Sequence, residues 1–129
     1  MDNFVDNSVD KSNKSVDKSV DNFLEAYQSA IGKFAVYAGA GSGSEGELMY
    51  LGLGLTSEAG EVAGKIKKFY RDGVLYNEDV AQEIGDCFWY LCMLCRAIGY
   101  SANDVLVMNY EKLQSRFERD KLKGEGDVR

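Results

Sequence analysis

No proline occurs anywhere in the 129-residue chain. Proline stops helices by removing a backbone donor and clashing with the preceding turn. A chain without it must turn on glycine and asparagine, and long uninterrupted helices are favoured. The apolar periodicity agrees: Val16, Val20, Leu24, Tyr27 and Ile31 recur at helical spacing. At 45% apolar residues the chain is expected to be globular, with one core rather than two at this length.

The spacing predicts a first helix beginning as early as Ser15 and ending near Ala38, and a second from about Glu47 to Arg71. Gly73 stops the second, and Asn77 is the expected N-cap of a third helix that ends near Ile98 before Gly99. Ser101 followed by Asp104 resembles a capping box opening a fourth helix, which continues to about Asp120. No strand pattern is present. The expectation is an all-α, four-helix bundle-like single domain, completed by oligomerisation.

Residues 1–20 read as a flexible low-complexity segment, because SVDK or SVDN recurs at Ser8, Ser15 and Ser19 with little to bury; residues 21–129 read as the all-α domain. The AGAGSGSEGE stretch reads as a flexible connection. Its GSGSEG, residues 41–46, matches G-x-G-x-x-G literally but lacks the preceding strand and βαβ unit that this fingerprint needs.

A net charge of −6 disfavours binding to nucleic-acid phosphates. No run approaches 18 apolar residues, and the first residues are polar, so neither a membrane span nor a signal peptide is expected. Cys87, Cys92 and Cys95 share one apolar run, which suits buried thiols and a cytoplasmic location. Cys92 and Cys95 spell C-x-x-C, but a zinc site needs a second ligand pair that Cys87 alone does not supply. Histidine is absent, which removes the commonest metal ligand and general base.

Against this background two acidic pairs stand out. Glu58 and Glu61 lie three apart beside the stripe Leu48, Leu51, Leu55, Val62, Ile66 and Phe69. Glu83 and Asp86 lie three apart beside Val80, Ile84, Cys87, Leu91 and Leu94. Residues three apart share a helix face, so packing the two stripes together brings four carboxylates to one edge of the core. Like charges that close raise one another's pKa and oppose folding unless something compensates. Hard divalent cations do so: four acids can hold more than one Mg²⁺, which binds phosphate and activates water without histidine. The bland alternative is a solvated edge paired with Lys65 and Lys68.

E-x-x-E, twenty-one intervening residues and then E-x-x-D resembles the signature of the MazG-like nucleoside triphosphate pyrophosphohydrolases, of the all-α NTP pyrophosphatase superfamily. LGLGLTSEAGEVAGKIKK, EIGDCFWYL, NYEKLQSRF and ERDKLKGEGDVR are similar to that family in the same order, from about residue 24 to the C-terminus. The resemblance implies Mg²⁺-dependent attack of water at the α-phosphorus, with Mn²⁺ as a substitute. A nucleoside triphosphate, foremost a deoxynucleoside triphosphate, would yield a monophosphate and pyrophosphate. It implies Glu58, Glu61, Glu83 and Asp86 as metal ligands, with Glu61 also orienting or deprotonating the water.

Further candidates for substrate binding are Lys65, Tyr90, Asn109, Lys112 and Arg116. Lys65 lies one turn after Glu61 and either contacts phosphate or pairs with Glu61 at i,i+4. Tyr90, one turn after Asp86, is placed to stack on base or ribose, as an equivalent tyrosine does in the family; a core aromatic is the alternative. Asn109, Lys112 and Arg116 share a polar stripe that corresponds to a family N-x-x-K-L-x-x-R block. Trp89 is expected against the first helix or a partner subunit. Phe88, Trp89, Met93 and Cys95 fall outside the main stripe, and a second subunit is expected to cover them, giving a homodimer or homotetramer. The competing functional class is a regulatory module that binds a nucleotide or alarmone through the same metals without turnover.

Overall fold

The computed structural model describes residues 18–119. Four helices occupy them: α1 (Lys18–Ile31), α2 (Glu45–Asp72), α3 (Asn77–Ala97) and α4 (Ala102–Glu118), with a 3₁₀ turn at Gly32–Phe34. There is no strand among the described residues, as the periodicity and the lack of proline predict. The serine repeats up to residue 17 and the charged tail from residue 120 lie outside them.

The first helix ends at Ile31, seven residues earlier than expected from its apolar spacing. A 3₁₀ turn takes over at Gly32, where the Arg96 guanidinium of α3 lies so close to the backbone that an added Cβ would meet it. Beyond it Gly39, Gly41 and Gly43 take φ values of 79°, 79° and 64°, which L-residues rarely adopt. Asn77 is not the cap of α3. It is the first helical residue, and Tyr76 occupies the cap position without a side-chain bond. Ser101 does cap α4, its hydroxyl accepting from the Asp104 N–H at 3.0 Å. Gly73, at φ 76°, closes α2 with its N–H on the Phe69 carbonyl.

α2 and α3 form an antiparallel hairpin packed along its length, while α1 and α4 pack on each other and on α3. α3 and α4 meet at a bend of 98°. Gln28 of α1 joins these parts. Its amide nitrogen donates to the Cys92 carbonyl at 3.1 Å, and its amide oxygen accepts from the Ala102 N–H at 2.9 Å. Around it lies the buried core of Ile31, Leu51, Cys92, Met93 and Ala102.

That core differs from the predicted α3 stripe. Ile84 and Leu91 remain 42% and 44% exposed, whereas Met93 is buried. The C-terminal half of α3 has two neighbours, α2 on one side and α1 with α4 on another, so its buried surface wraps further round the helix. Met93 and Trp89 are thereby covered by their own chain, and Phe88 stays 54% exposed. The three cysteines are free thiols; Cys92 is buried, and burial pushes its thiol upward. No single helix among the described residues is long and apolar enough to cross a membrane.

Candidate active site

One face of α2 carries Tyr50, Gly54, Glu58 and Lys65, at intervals of four, four and seven residues that keep them within a narrow arc. One face of α3 carries Asp79, Glu83, Asp86 and Tyr90 on the same rule. The hairpin brings these faces together head to tail. Tyr90 lies over Gly54, Asp86 beside Glu58, and Asp79 beside Lys65.

Glu58, Glu83 and Asp86 each direct a carboxylate oxygen to a common point, all within 4.8 Å of one another. Glu58 and Glu83 are half-buried and Asp86 is exposed. Burial pushes the Glu58 carboxyl upward, and the charges of Asp86, Glu83 and Glu61 push it further. Glu61 is exposed and stands outside the three-oxygen group, although its charge reaches Glu58. Lys65 does not pair with Glu61 as the i,i+4 spacing suggests. Its ammonium lies 3.4 Å from Glu83 Oε1 and 3.5 Å from Asp79 Oδ2, so it crosses to α3.

The donor set is all oxygen and its charges are crowded. That is the chemistry that suits a hard divalent cation.

Beside the acids opens a cleft of about 400 Å³. Glu58 and Asp86 form one wall, and Phe34, Val36, Tyr37, Tyr50, Trp89 and Tyr90 form the rest. The rings are ordered against each other. Tyr37 stacks on Tyr50 with centroids 4.3 Å apart and planes 24° apart, and Trp89 meets Tyr90 edge-on at 4.9 Å. Tyr90 fits because position 54 is glycine; a Cβ there would overlap its ring. Among the described residues the buried Trp89 indole Nε1 has no hydrogen-bond partner. Such a surface stacks planar ligands.

Of the cleft aromatics, sequence reasoning singled out Tyr90 for the site and placed Trp89 elsewhere. Tyr50 was legible, being two turns before Glu58 on one face. Tyr37 was not, because it lies in irregular chain that no periodicity describes.

On the far side of the acids a smaller cavity of about 270 Å³ is lined by Lys65, Lys68, Asp72, Tyr76 and Asp79, among others. The α4 candidates are not brought to the acids. Asn109 and Lys112 line a separate cavity with Tyr100 and Met108, and Arg116 is buried.

The family model of the MazG nucleotide pyrophosphohydrolase domain matches residues 48–119, which takes in both acidic pairs and all of α4. The chain is also 40% identical over 112 residues to the "Gene 37 protein" of Mycobacterium phage L5, an alignment covering 82% of this chain and 98% of that one. No solved structure matches it.

Proposed function

The chain belongs to the MazG nucleotide pyrophosphohydrolase family, hydrolases of phosphoric anhydrides, and from that premise we propose that it splits nucleoside triphosphates, foremost deoxynucleoside triphosphates, at the α-phosphorus. The products are a nucleoside monophosphate and pyrophosphate. One observation carries this reading: Glu58 and Asp86 belong both to the acid cluster and to the wall of the aromatic cleft.

That shared wall supports the choice of phosphorus. With the base on the rings near Tyr50, the acids come next along α2, about 12 Å on at 1.5 Å per residue. The lysine-lined cavity follows roughly 10 Å beyond. A triphosphate laid along this track has its α-phosphate at the acids and its β- and γ-phosphates toward Lys65 and Lys68. Cleavage between α and β follows from that order, whereas a γ-phosphatase would carry its acids at the far end.

Glu58, Glu83 and Asp86, with Glu61 at the rim, would hold Mg²⁺, or Mn²⁺ in its place. Bound there, the cation supplies Lewis acidity toward the phosphate and lowers the pKa of the attacking water. Glu61, exposed beside the three converging oxygens, takes the proton from that water. The water oxygen bonds to the α-phosphorus as the bond from that phosphorus to the bridging oxygen breaks, and the electron pair leaves with pyrophosphate. Lys65 and Lys68 offset the charge on the leaving group.

The site works in a homo-oligomer in this reading. Met49, Leu53 and Phe88 are 66%, 69% and 54% exposed, and on α4 Leu106 and Met108 are 55% and 54% exposed. Sedimentation equilibrium tests this, and a monomer at micromolar concentration would rule it out.

The decisive experiment is turnover in ¹⁸O-labelled water with Mg²⁺ and a panel of ribo- and deoxynucleoside triphosphates. The label is expected in the monophosphate, with pyrophosphate unlabelled. Label in pyrophosphate, or release of orthophosphate, would refute attack at the α-phosphorus.

A further inference from the structure

Glu47 is 1% exposed, and the reaction has no use for it. Three donors converge on its carboxylate. The Gly41 N–H reaches Oε1 at 2.7 Å, the Gly43 N–H reaches Oε2 at 2.7 Å, and the Tyr37 hydroxyl donates to Oε1 at 2.9 Å. Hydrogen bonds of this length to an ionised acceptor are the strong kind. They hold the carboxyl below its usual range, with the Gly41 bond foremost and burial opposing it. Glu47's own N–H donates to the Ser44 hydroxyl at 3.3 Å, so the whole arrangement is anchored to the first turn of α2.

The two amide bonds fold the glycine loop onto the helix, and positive φ at Gly41 and Gly43 lets them do so. The bond from Tyr37 does something else. Tyr37 lies in irregular chain between the 3₁₀ turn and α2, where no helix fixes its side chain. Its ring nonetheless stacks on Tyr50, and both rings line the cleft that Glu58 and Asp86 share. The Tyr37 hydroxyl is pushed up to about 12, by burial first and then by the bond to Glu47, so it stays protonated and donating.

We infer that Glu47 is a positioning residue for substrate, acting through Tyr37: the carboxylate clamps the Tyr37 ring against Tyr50, and this stacked pair is a wall on which the nucleotide's base lies. The inference rests on the reading of the cleft as the nucleotide site. Because the Tyr37 hydroxyl already donates to Glu47, Tyr37 meets a base with its ring face and does not discriminate among bases by donating to them.

The test uses the full chain and four variants: Tyr37→Ala, Tyr37→Phe, Glu47→Gln and the double variant Tyr37→Phe/Glu47→Gln. KM and kcat are measured for several triphosphates with Mg²⁺. Monophosphate binding is followed by quenching of Trp89, the single tryptophan, which lines the cleft. Tyr37→Ala is expected to raise KM about ten-fold or more for every base, the scale of a lost stacking contact. Tyr37→Phe keeps the ring and loses the tether, and is expected to raise KM about five-fold, as does Glu47→Gln. In the Tyr37→Phe background Glu47→Gln adds nothing further. kcat and the Mg²⁺ midpoint stay as in the wild type throughout, which a general loss of structure would not allow.

Unchanged KM in Tyr37→Phe and Glu47→Gln, or losses that simply add, would overturn the inference. Should Glu47→Gln not fold, Tyr37→Phe decides alone, since it leaves both amide bonds to Glu47 intact. A wild-type protein with no turnover and no quenching by nucleotide overturns the parent reading and this inference with it. Normal wild-type turnover with unaffected variants overturns the inference alone.

Discussion

Lys65 on α2 and Glu83 on α3 are joined across the hairpin, ammonium to carboxylate, at 3.4 Å. Burial works against the lysine's charge, but the bond to Glu83 and the proximity of Asp79 outweigh it and raise its pKa. Lys65 thus stays cationic throughout the neutral range, with one side on the acid cluster and the other on the lysine-lined cavity. Lys65→Met is expected to lower kcat/KM about ten-fold, the scale of one charge-assisted contact to phosphate. Lys65→Arg should recover part of that loss. Steady-state kinetics with Mg²⁺ and triphosphate measure both; equal loss in the two variants would mean that geometry at Glu83, rather than charge, is what Lys65 supplies.

The crowding at Glu58 has a thermodynamic signature. Its pKa is raised by burial and by Asp86, Glu83 and Glu61. A carboxyl raised on folding holds its proton longer in the folded state, so metal-free stability falls as pH rises from the ordinary carboxylate range through the raised value. Thermal melts of the metal-free protein should therefore decline over that window, and Glu58→Gln should flatten the decline. At neutral pH a divalent ion at about 100 times its dissociation constant should add roughly 2.7 kcal/mol, seen as a higher Tm, and the gain should shrink as pH drops and protons compete. Glu47, lowered rather than raised, contributes the opposite slope: its stabilisation is present above the ordinary carboxylate range and is lost as acid titrates it.

Much of this site was legible in the sequence because helices make spacing into geometry. E-x-x-E and E-x-x-D each mark one face, and the register of the hairpin does the rest: Glu58, Glu83 and Asp86 do converge. The Ser101 cap was legible for the same reason, being purely local. What escaped sequence reasoning depends on contacts between distant segments. Arg96 lies against Gly32 where α1 ends, and Glu47 binds the amides of Gly41 and Gly43 in the glycine loop. The burial of Met93 depends on where α1 and α4 attach to α3. Spacing along one helix offers Lys65 either phosphate or Glu61 at i,i+4; the structure pairs it instead with Glu83 across the hairpin.

Glu61 is the acid that lies outside the three converging oxygens. Substituting a converging carboxylate, as in Asp86→Asn, should cost both turnover and the Mg²⁺-dependent rise in Tm. Glu61→Gln, if the residue serves as base, should cost roughly 10²- to 10⁴-fold in kcat while leaving the Mg²⁺-dependent rise and the helical circular dichroism intact. Loss of the rise in Glu61→Gln would make it a ligand first, and full turnover would remove it from the reaction.

Gly54 offers a test in which one substitution has opposite signs at neighbouring positions. In a helix interior alanine exceeds glycine by about 1 kcal/mol, so at Gly52, where an added Cβ meets nothing within 4 Å, Gly52→Ala should stabilise by about that amount. At Gly54 the same methyl overlaps the Tyr90 ring, which is backbone-anchored on α3 and wedged between Trp89 and Tyr50, so the ring must move as a whole. Overpacking of this kind costs about 1–3 kcal/mol, enough to cancel the helical gain or reverse it. Because Tyr90 lines the cleft beside Glu58 and Asp86, its displacement should also raise KM for triphosphate in Gly54→Ala, while Gly52→Ala leaves KM alone. Paired melts and kinetics on the two variants check both halves. If Gly54→Ala is as stable and as active as Gly52→Ala, Tyr90 does not occupy the notch above α2, and the aromatic cleft described above is wrongly drawn.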